Sequence, residues 1–193
     1  MTSVKQELTC NEIRQLIEYN PETGDMYWKT RHGEDSKSWN SRYAKTKAFN
    51  VLDKREGYLR GKINKKNYSA HRIAWLYYYG SFPNGELDHI NHDKTDNRIE
   101  NLRCVTPNEN MKNQKFRCTN TSGTMGVIWD KVKQKWRAQI VSHGKCFNLG
   151  RFKNYEDAVA ARKRAEKELN FHENHGKKGN TNVKRIVTGK HLP

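Results

Sequence analysis

The sequence predicts an α+β protein built of two small units. The first is a pair of antiparallel strands joined to a helix. The second is a three-stranded antiparallel sheet packed on one helix. Three observations carry this. Between residues 86 and 116 two short apolar runs flank a polar loop and lead into a strongly capped helix start. Between 125 and 152 three alternating runs are separated by turn residues, and a helical pattern follows at 154–170. The charge is divided the same way: residues 1–110 hold 18 Lys+Arg against 15 Asp+Glu, and residues 111–193 hold 19 against 6.

Taken in order, "TCNEIRQLIEYNPETGD" reads as a helix. Thr9 and Glu12 form a capping box, Ile13, Leu16 and Ile17 give an apolar face, and Pro21 and Gly24 stop it. "DMYWK" alternates as a short strand, and residues 30–50 read as a polar loop. "GYLRGKI" and "NYSAHRI" around "NKKN" make a hairpin, and "AHRIAWLYYYG" a buried helix closed by Gly80. "ELDHI" and "LRCVT" are antiparallel partners across the loop 91–100. "TPNENMKNQKF" then starts a helix with Thr106, Pro107 and Glu109 in capping positions. Farther on, turns near Lys133 and His143-Gly144 divide three strands, and Asn154 caps the last helix.

Composition narrows the function classes. Of 193 residues 34% are hydrophobic and 30% charged, which suits small folded units rather than one large core. No apolar run approaches a membrane span and the first residues lack a signal-peptide centre, so a soluble, intracellular, non-secreted protein is expected. Cys10, Cys104, Cys118 and Cys146 form no CxxC pair, so structural zinc and disulfides are not expected. A net charge of +16, concentrated after residue 110, suits a polyanionic partner.

The stretch "ELDHINHDKTDNRIENLRCVTPNEN" carries candidate chemistry. A hard divalent ion takes oxygen ligands, which Asp88 and Asn110 can supply. His89 follows Asp88, and an imidazole near neutrality is the usual base for activating water. Asn101 lies twelve residues after His89, and Asn110 nine farther on, in the first turn of a helix. With "AHRIAW" and "VTPNENMKN", this pattern resembles the HNH nucleases of phage and intron-associated homing endonucleases, in their His-Asn-Asn branch. The similarity covers residues 68–113 and extends more loosely to "YNPETGDMYW".

That resemblance implies a ββα-metal (His-Me finger) nuclease domain and one Mg²⁺ or Mn²⁺. Asp88 and Asn110 would be the metal ligands, His89 the general base, and Asn101 the brace that holds the strands and the base. It implies metal-assisted phosphodiester hydrolysis leaving 5′-phosphate and 3′-hydroxyl ends, in the cytoplasm of a phage-infected or host cell. His71 reads as structural and His92 as a turn residue. Asn97 and Asn108 read as serving the loop and the helix start.

Along "WRAQIV", Trp136, Ala138 and Ile140 share one face, and Arg137, Gln139 and Val141 the other. The first set packs on helix 154–170, which leaves the second free for a DNA groove. "GVIWDKVKQKWRAQIVSHGKCFNLGRF" resembles the APETALA-two type DNA-binding domain of plant ethylene-response factors. That resemblance implies groove contacts by Arg137, Gln139, Asn148 and Arg151. Lys131, Lys133, Lys135 and Lys145 would add backbone affinity. Met125, Ile128 and Cys146 replace arginines of the plant proteins, so their target sequence does not carry over.

The expected organisation is a nuclease domain at 1–116 with its ββα core at 86–116, a linker at 117–124, the sheet-plus-helix module at 125–171, and a flexible basic tail at 172–193. The expected function is a site-selective DNA endonuclease acting on double-stranded DNA. The rival is a catalytically inactive DNA-binding regulator.

Overall fold

The structure, a computed structural model, describes residues 8–34, 36–114, 116 and 120–177. Helix α1 (Cys10–Leu16) opens with the expected capping box: Glu12 N donates to Thr9 Oγ1 at 3.2 Å and Thr9 N to Glu12 Oε2 at 2.8 Å. It ends earlier than its apolar pattern suggests. Ile17 already belongs to β1 (Ile17–Tyr19), which pairs antiparallel with β2 (Met26–Trp28). The hairpin turn between them carries Pro21 and ends in Gly24 at φ 77°. The residues expected to stop a helix instead reverse a strand, because Ile17 and Met26 both bury themselves in the core.

Residues 30–50 also depart from expectation. They contain helix α2 (Ser36–Tyr43), which buries no residue. Trp39 packs edge-on against Trp28 at 5.8 Å, and the Arg31 guanidinium lies 3.7 Å from the Trp39 ring centroid. Tertiary aromatic contacts, not an apolar stripe, place this helix.

Strands β3 (Val51–Leu52), β4 (Leu59–Ile63) and β5 (Lys66–Ser69) form an antiparallel sheet. Asn64 and Lys65 turn its hairpin with φ of 48° and 64°, the left-handed pair a two-residue turn needs. Helix α3 (Ala70–Tyr79) follows and ends at Gly80 at φ 84°. It buries Ala70, Ile73, Ala74 and Leu76 against Ile13, Ile17, Met26, Phe49 and Ile63 to make the main core.

On this core sits the ββα unit. Strand β6 (Glu86–His89) pairs antiparallel with β7 (Leu102–Val105), and a single 3₁₀ turn, Ile99–Asn101, precedes β7. Helix α4 (Pro107–Met111) has the Thr106–Glu109 capping box, with Glu109 N donating to Thr106 Oγ1 at 3.3 Å. Such a cap is worth about 1 kcal/mol. It matters here because α4 is short.

Strands β8 (Val127–Asp130), β9 (Lys135–Ser142) and β10 (Lys145–Phe152) form the second sheet in the order β10-β9-β8, with helix α5 (Tyr155–Glu168) on one face. Ala138 and Ile140 are sealed, and Trp136 meets Tyr155 at 4.8 Å, as the alternation predicts. Thus the fold class is the one expected: α+β, a ββα nuclease-type unit followed by a three-stranded antiparallel sheet on one helix.

The sheet module is docked on the ββα unit. His143, at the β9–β10 turn, engages Asn108 of α4 through both ends: its N donates to Asn108 Oδ1 at 3.2 Å and its Nε2 lies 2.9 Å from Asn108 Nδ2. Residues 172–177, expected to begin a flexible tail, instead form a turn laid against α4 and the strands. His172 N donates to Lys112 O at 3.1 Å, Gly176 N to Gln114 O at 2.8 Å, and Asn174 Nδ2 to Ile90 O at 3.0 Å. The rest of the expected tail, 178–193, and linker positions 117–119 lie outside the described residues. No helix among the described residues is long and apolar enough to cross a membrane, and Cys10, Cys104 and Cys146 are free thiols.

Gly24 is where the N-terminal hairpin touches the loop before β7. A Cβ there would stand 2.7 Å from Asn97 C and Arg98 N, both backbone atoms, and its φ is left-handed. Gly24→Ala should therefore destabilise the protein by about 2 kcal/mol or more, read as a lowered urea midpoint. An unchanged midpoint would contradict this packing.

Candidate functional site

The alternation of β6 sorts the site. Leu87 and His89 turn into the core, and Glu86 and Asp88 face α4. Asp88 Oδ2 collects three donors. Its cross-strand partner Arg103 gives Nε at 3.0 Å and Nη2 at 2.7 Å, and Asn113 gives Nδ2 at 2.8 Å. Asn113 is itself buried, and its Oδ1 lies 3.0 Å from His92 Nε2. Neither Arg103 nor Asn113 stands out in the sequence. The signal for Arg103 is its register opposite Asp88, which pairing alone reveals. Asn113 sits just beyond the end of α4, one helical turn after Asn110.

Asn110 makes no hydrogen bond to Asp88 among the described residues. Its Nδ2 donates to Glu86 Oε2 at 2.7 Å, two strand residues away on the same face. Asn101 is buried at 5% exposure and bonds to the loop rather than to the strands. It accepts from Asn91 N at 3.0 Å through Oδ1 and donates to Asp96 O at 2.9 Å through Nδ2. With Ile90 N donating to Asn101 O at 3.0 Å, this closes the loop directly behind His89.

His89 is 3% exposed, packed by Tyr58 (ring centroids 5.8 Å) and His71 (5.3 Å). Burial lowers its pKa from the ordinary value, against the opposing effects of the Asn97 amide and of Asp88. His89 is therefore neutral at pH 7 and can accept a proton. His71, in the first turn of α3, is pushed down to about 3 by burial and then by the neighbouring His89.

Does this donor set suit a hard divalent ion? Among the described residues no three His, Cys, Asp or Glu side chains gather, so an ion here would need amide oxygens as well. Those are present. The hydrogen bonds of Asp88 and Asn110 run through Oδ2 and Nδ2, so Asp88 Oδ1 and Asn110 Oδ1 accept none among the described residues. Oxygen donors of this kind fit Mg²⁺ or Mn²⁺ and not a thiolate-preferring ion.

In the second module, cross-strand pairing gathers the predicted groove residues on the face away from α5. Asn148 stands opposite Gln139, and Arg151 opposite Arg137. Arg151 Nε also meets Asp130 at 3.2 Å. Lys131 and Lys133 lie at the exposed β8–β9 turn, and Lys135 and Lys145 open β9 and β10.

A strand, a closed polar loop, a strand and a capped helix, with Asp88 and His89 on opposite faces of one strand, make up a ββα unit. The HNH endonuclease family model matches residues 68–112 of this chain. The chain is 34% identical over 112 residues to Protein 3.8 of Escherichia phage T7, an alignment that spans 56% of this chain and 92% of that protein. The chain belongs to the family of that phage protein. It is also 38% identical over 55 residues to YosQ of Bacillus subtilis (strain 168), an SPbeta prophage-derived protein named among the HNH homing endonucleases, covering 28% of this chain and 32% of YosQ. One solved structure, "DNA binding and cleavage by the HNH homing endonuclease I-HmuI", aligns at 24% identity with a TM-score of 0.37 over 51% of each chain.

The buried histidines give this fold an acid limit. His71 (about 3) and His175, which burial lowers to about 4, titrate below their unfolded value of about 6.5. Stability is therefore full above about pH 6.5 and falls as the pH drops toward the folded values, because only the unfolded chain takes up these protons. A loss of about 2 kcal/mol per pH unit between about pH 6 and 4.5 is expected from urea melts. A flat profile down to pH 5 would contradict the burial of both rings.

Proposed function

We propose that this protein is a metal-dependent DNA endonuclease of the phage homing type. On this reading the ββα unit cuts and the sheet module holds the duplex. The observation that carries the reading is the arrangement of Asp88, His89, Asn101 and Asn110 on a strand–loop–strand–helix frame inside the segment matched by the HNH family.

His89 is a neutral imidazole and takes the proton from the attacking water, aided by the rigid loop that Asn101 closes. Asp88 and Asn110 would hold the ion, and Arg103 and Asn113 fix the Asp88 carboxylate in place. Held there, a divalent ion would supply positive charge against the negative charge that develops on the phosphate and the leaving 3′-oxygen. Since a single ββα unit offers one His89, one strand is cut per engagement.

His89→Ala should reduce plasmid cleavage in Mg²⁺ or Mn²⁺ by at least about a hundredfold while duplex binding in a gel shift stays within about twofold. A chelator should remove cleavage in the wild type. Cleavage by His89→Ala at the wild-type rate would end the assignment. Absence of cleavage by the wild type with either ion, with binding intact, would favour the inactive regulator. One observation lends that rival weight: Arg103 and Asn113 both hold Asp88, and Asn110 points to Glu86.

For the second module, the outward set Arg137, Gln139, Asn148 and Arg151 supports major-groove contact of the APETALA-two kind, and the four lysines support phosphate contact. Replacing Lys131, Lys133, Lys135 and Lys145 together by Ala should weaken binding to all duplexes alike. It should flatten the slope of log K against log salt by about one for each phosphate that a lysine no longer neutralises. An unchanged slope would remove the lysines from the interface.

A further inference from the structure

Six buried side-chain atoms among the described residues lack a hydrogen-bond partner, and three of them belong to the surroundings of His89: His89 Nε2, His71 Nδ1 and Asn97 Oδ1. Their residues are 3%, 7% and 3% exposed. A buried polar atom left alone costs about 1–3 kcal/mol, so three in one place call for an account. Their chemistry restricts how they can be satisfied. An amide oxygen can only accept, so Asn97 Oδ1 requires an N–H. An imidazole nitrogen serves as donor or acceptor according to tautomer, so His89 Nε2 can be that N–H.

The rest of Asn97 is held in place. Tyr19 Oη donates to its backbone carbonyl at 2.8 Å, and Gly24 lies tight against its backbone. Its Nδ2 donates to Thr95 O at 3.2 Å, which fixes the amide's sense and turns Oδ1 the other way. The Asn97 amide works against the burial of His89, raising the pKa of a ring that Tyr58 and His71 flank. Nothing in the nuclease reading so far uses Asn97, which the sequence suggests is only a loop residue.

We infer that Asn97 is a positioning residue for the base: its side-chain carbonyl accepts from His89 Nε2–H, which leaves His89 Nδ1 as the nitrogen with the free lone pair. Of the two ring nitrogens, only Nε2 is both fully buried and without a partner. His71 could also face Nε2, but an imidazole that can swap its own tautomer does not dictate its neighbour's. An amide with its other end anchored does. The inference deepens the nuclease reading and rests on it for the role of the base, though not for the hydrogen bond.

The test reads the tautomer directly. In wild-type protein labelled with ¹⁵N-histidine at about pH 7.5, the side-chain shifts of His89 should show the Nε2–H form alone. In Asn97→Ala a mixture should appear, and Asn97→Asp, which keeps the acceptor, should restore the single form. His71→Phe, which keeps the ring but not the nitrogen, should leave His89 as in wild type. In cleavage assays Asn97→Ala should lower kcat about tenfold or more with KM within about twofold, and Asn97→Asp should recover most of the loss.

A wild-type His89 in the Nδ1–H form or as a mixture overturns the inference, and needs no variant to fold. So does a tautomer that follows His71→Phe instead of Asn97→Ala, or an Asn97→Ala protein whose kcat is unchanged. If the wild type does not cleave DNA at all, the nuclease reading fails, while the tautomer result still decides the bond.

Discussion

The side-chain amide of Asn101 is the constraint on which the rest of the site depends. It takes a hydrogen bond from Asn91 N and gives one to Asp96 O, and so ties the two ends of a polar loop at its base. Both bonds are part-buried, and an unmet buried backbone group costs about 1–3 kcal/mol. A loop closed this way has one shape. It delivers β7 in a register that sets Arg103 opposite Asp88 and Leu102 opposite His89. If the loop slipped by one residue, every side chain of β7 would change face. The carboxylate would then lose its guanidinium and the histidine its apolar floor.

That register produces two environments across one strand. On the α4 side, Asp88 is partly shielded and held by charge-assisted hydrogen bonds, which keep a carboxylate in one orientation. On the core side, His89 is stripped of water by Tyr58, His71 and the body of the N-terminal lobe. Desolvation disfavours the imidazolium there, so the ring stays neutral near pH 7. Neighbouring residues thus acquire opposite characters, anion and neutral base, because strand alternation sends them to opposite sides. The N-terminal hairpins and α3 matter to the site because they supply this dry wall.

The two units are also joined more firmly than a chain of polar linker residues suggests. The Asn108–His143 contact and the turn at 172–177 fix the sheet module to α4 and to Ile90, next to His89. The buried Arg162 anchors this region from the α5 side: it reaches Gln139 O at 2.6 Å, Glu166 Oε1 at 2.9 Å and His175 Nε2 at 3.1 Å. Each of its nitrogens has a partner, which is the condition for burying a guanidinium. None of this is visible as a motif. Residues 172–177 read as polar and Gly-containing, and polarity is what a docked turn and a free tail have in common.

What the sequence alone determined is the local grammar: two capping boxes, the alternation of "ELDH" and "WRAQIV", the Asn64–Lys65 hairpin and the Gly80 stop. Each follows from interactions within a few residues, so each survives translation into structure. The pattern around Asp88, His89, Asn101 and Asn110 likewise resembles the HNH nucleases, whose family model matches residues 68–112. Tertiary structure alone decided where α1 gives way to a strand, that the polar stretch 36–43 is helical, and which atoms meet. Asp88 meets Arg103 and Asn113, Asn110 meets Glu86, and Asn97 lies beside His89. Ile17 has no local preference strong enough to choose, and Asn97 and Asn101 look alike in a string of letters. Their difference arises only when the chain folds back and takes water away from particular polar atoms.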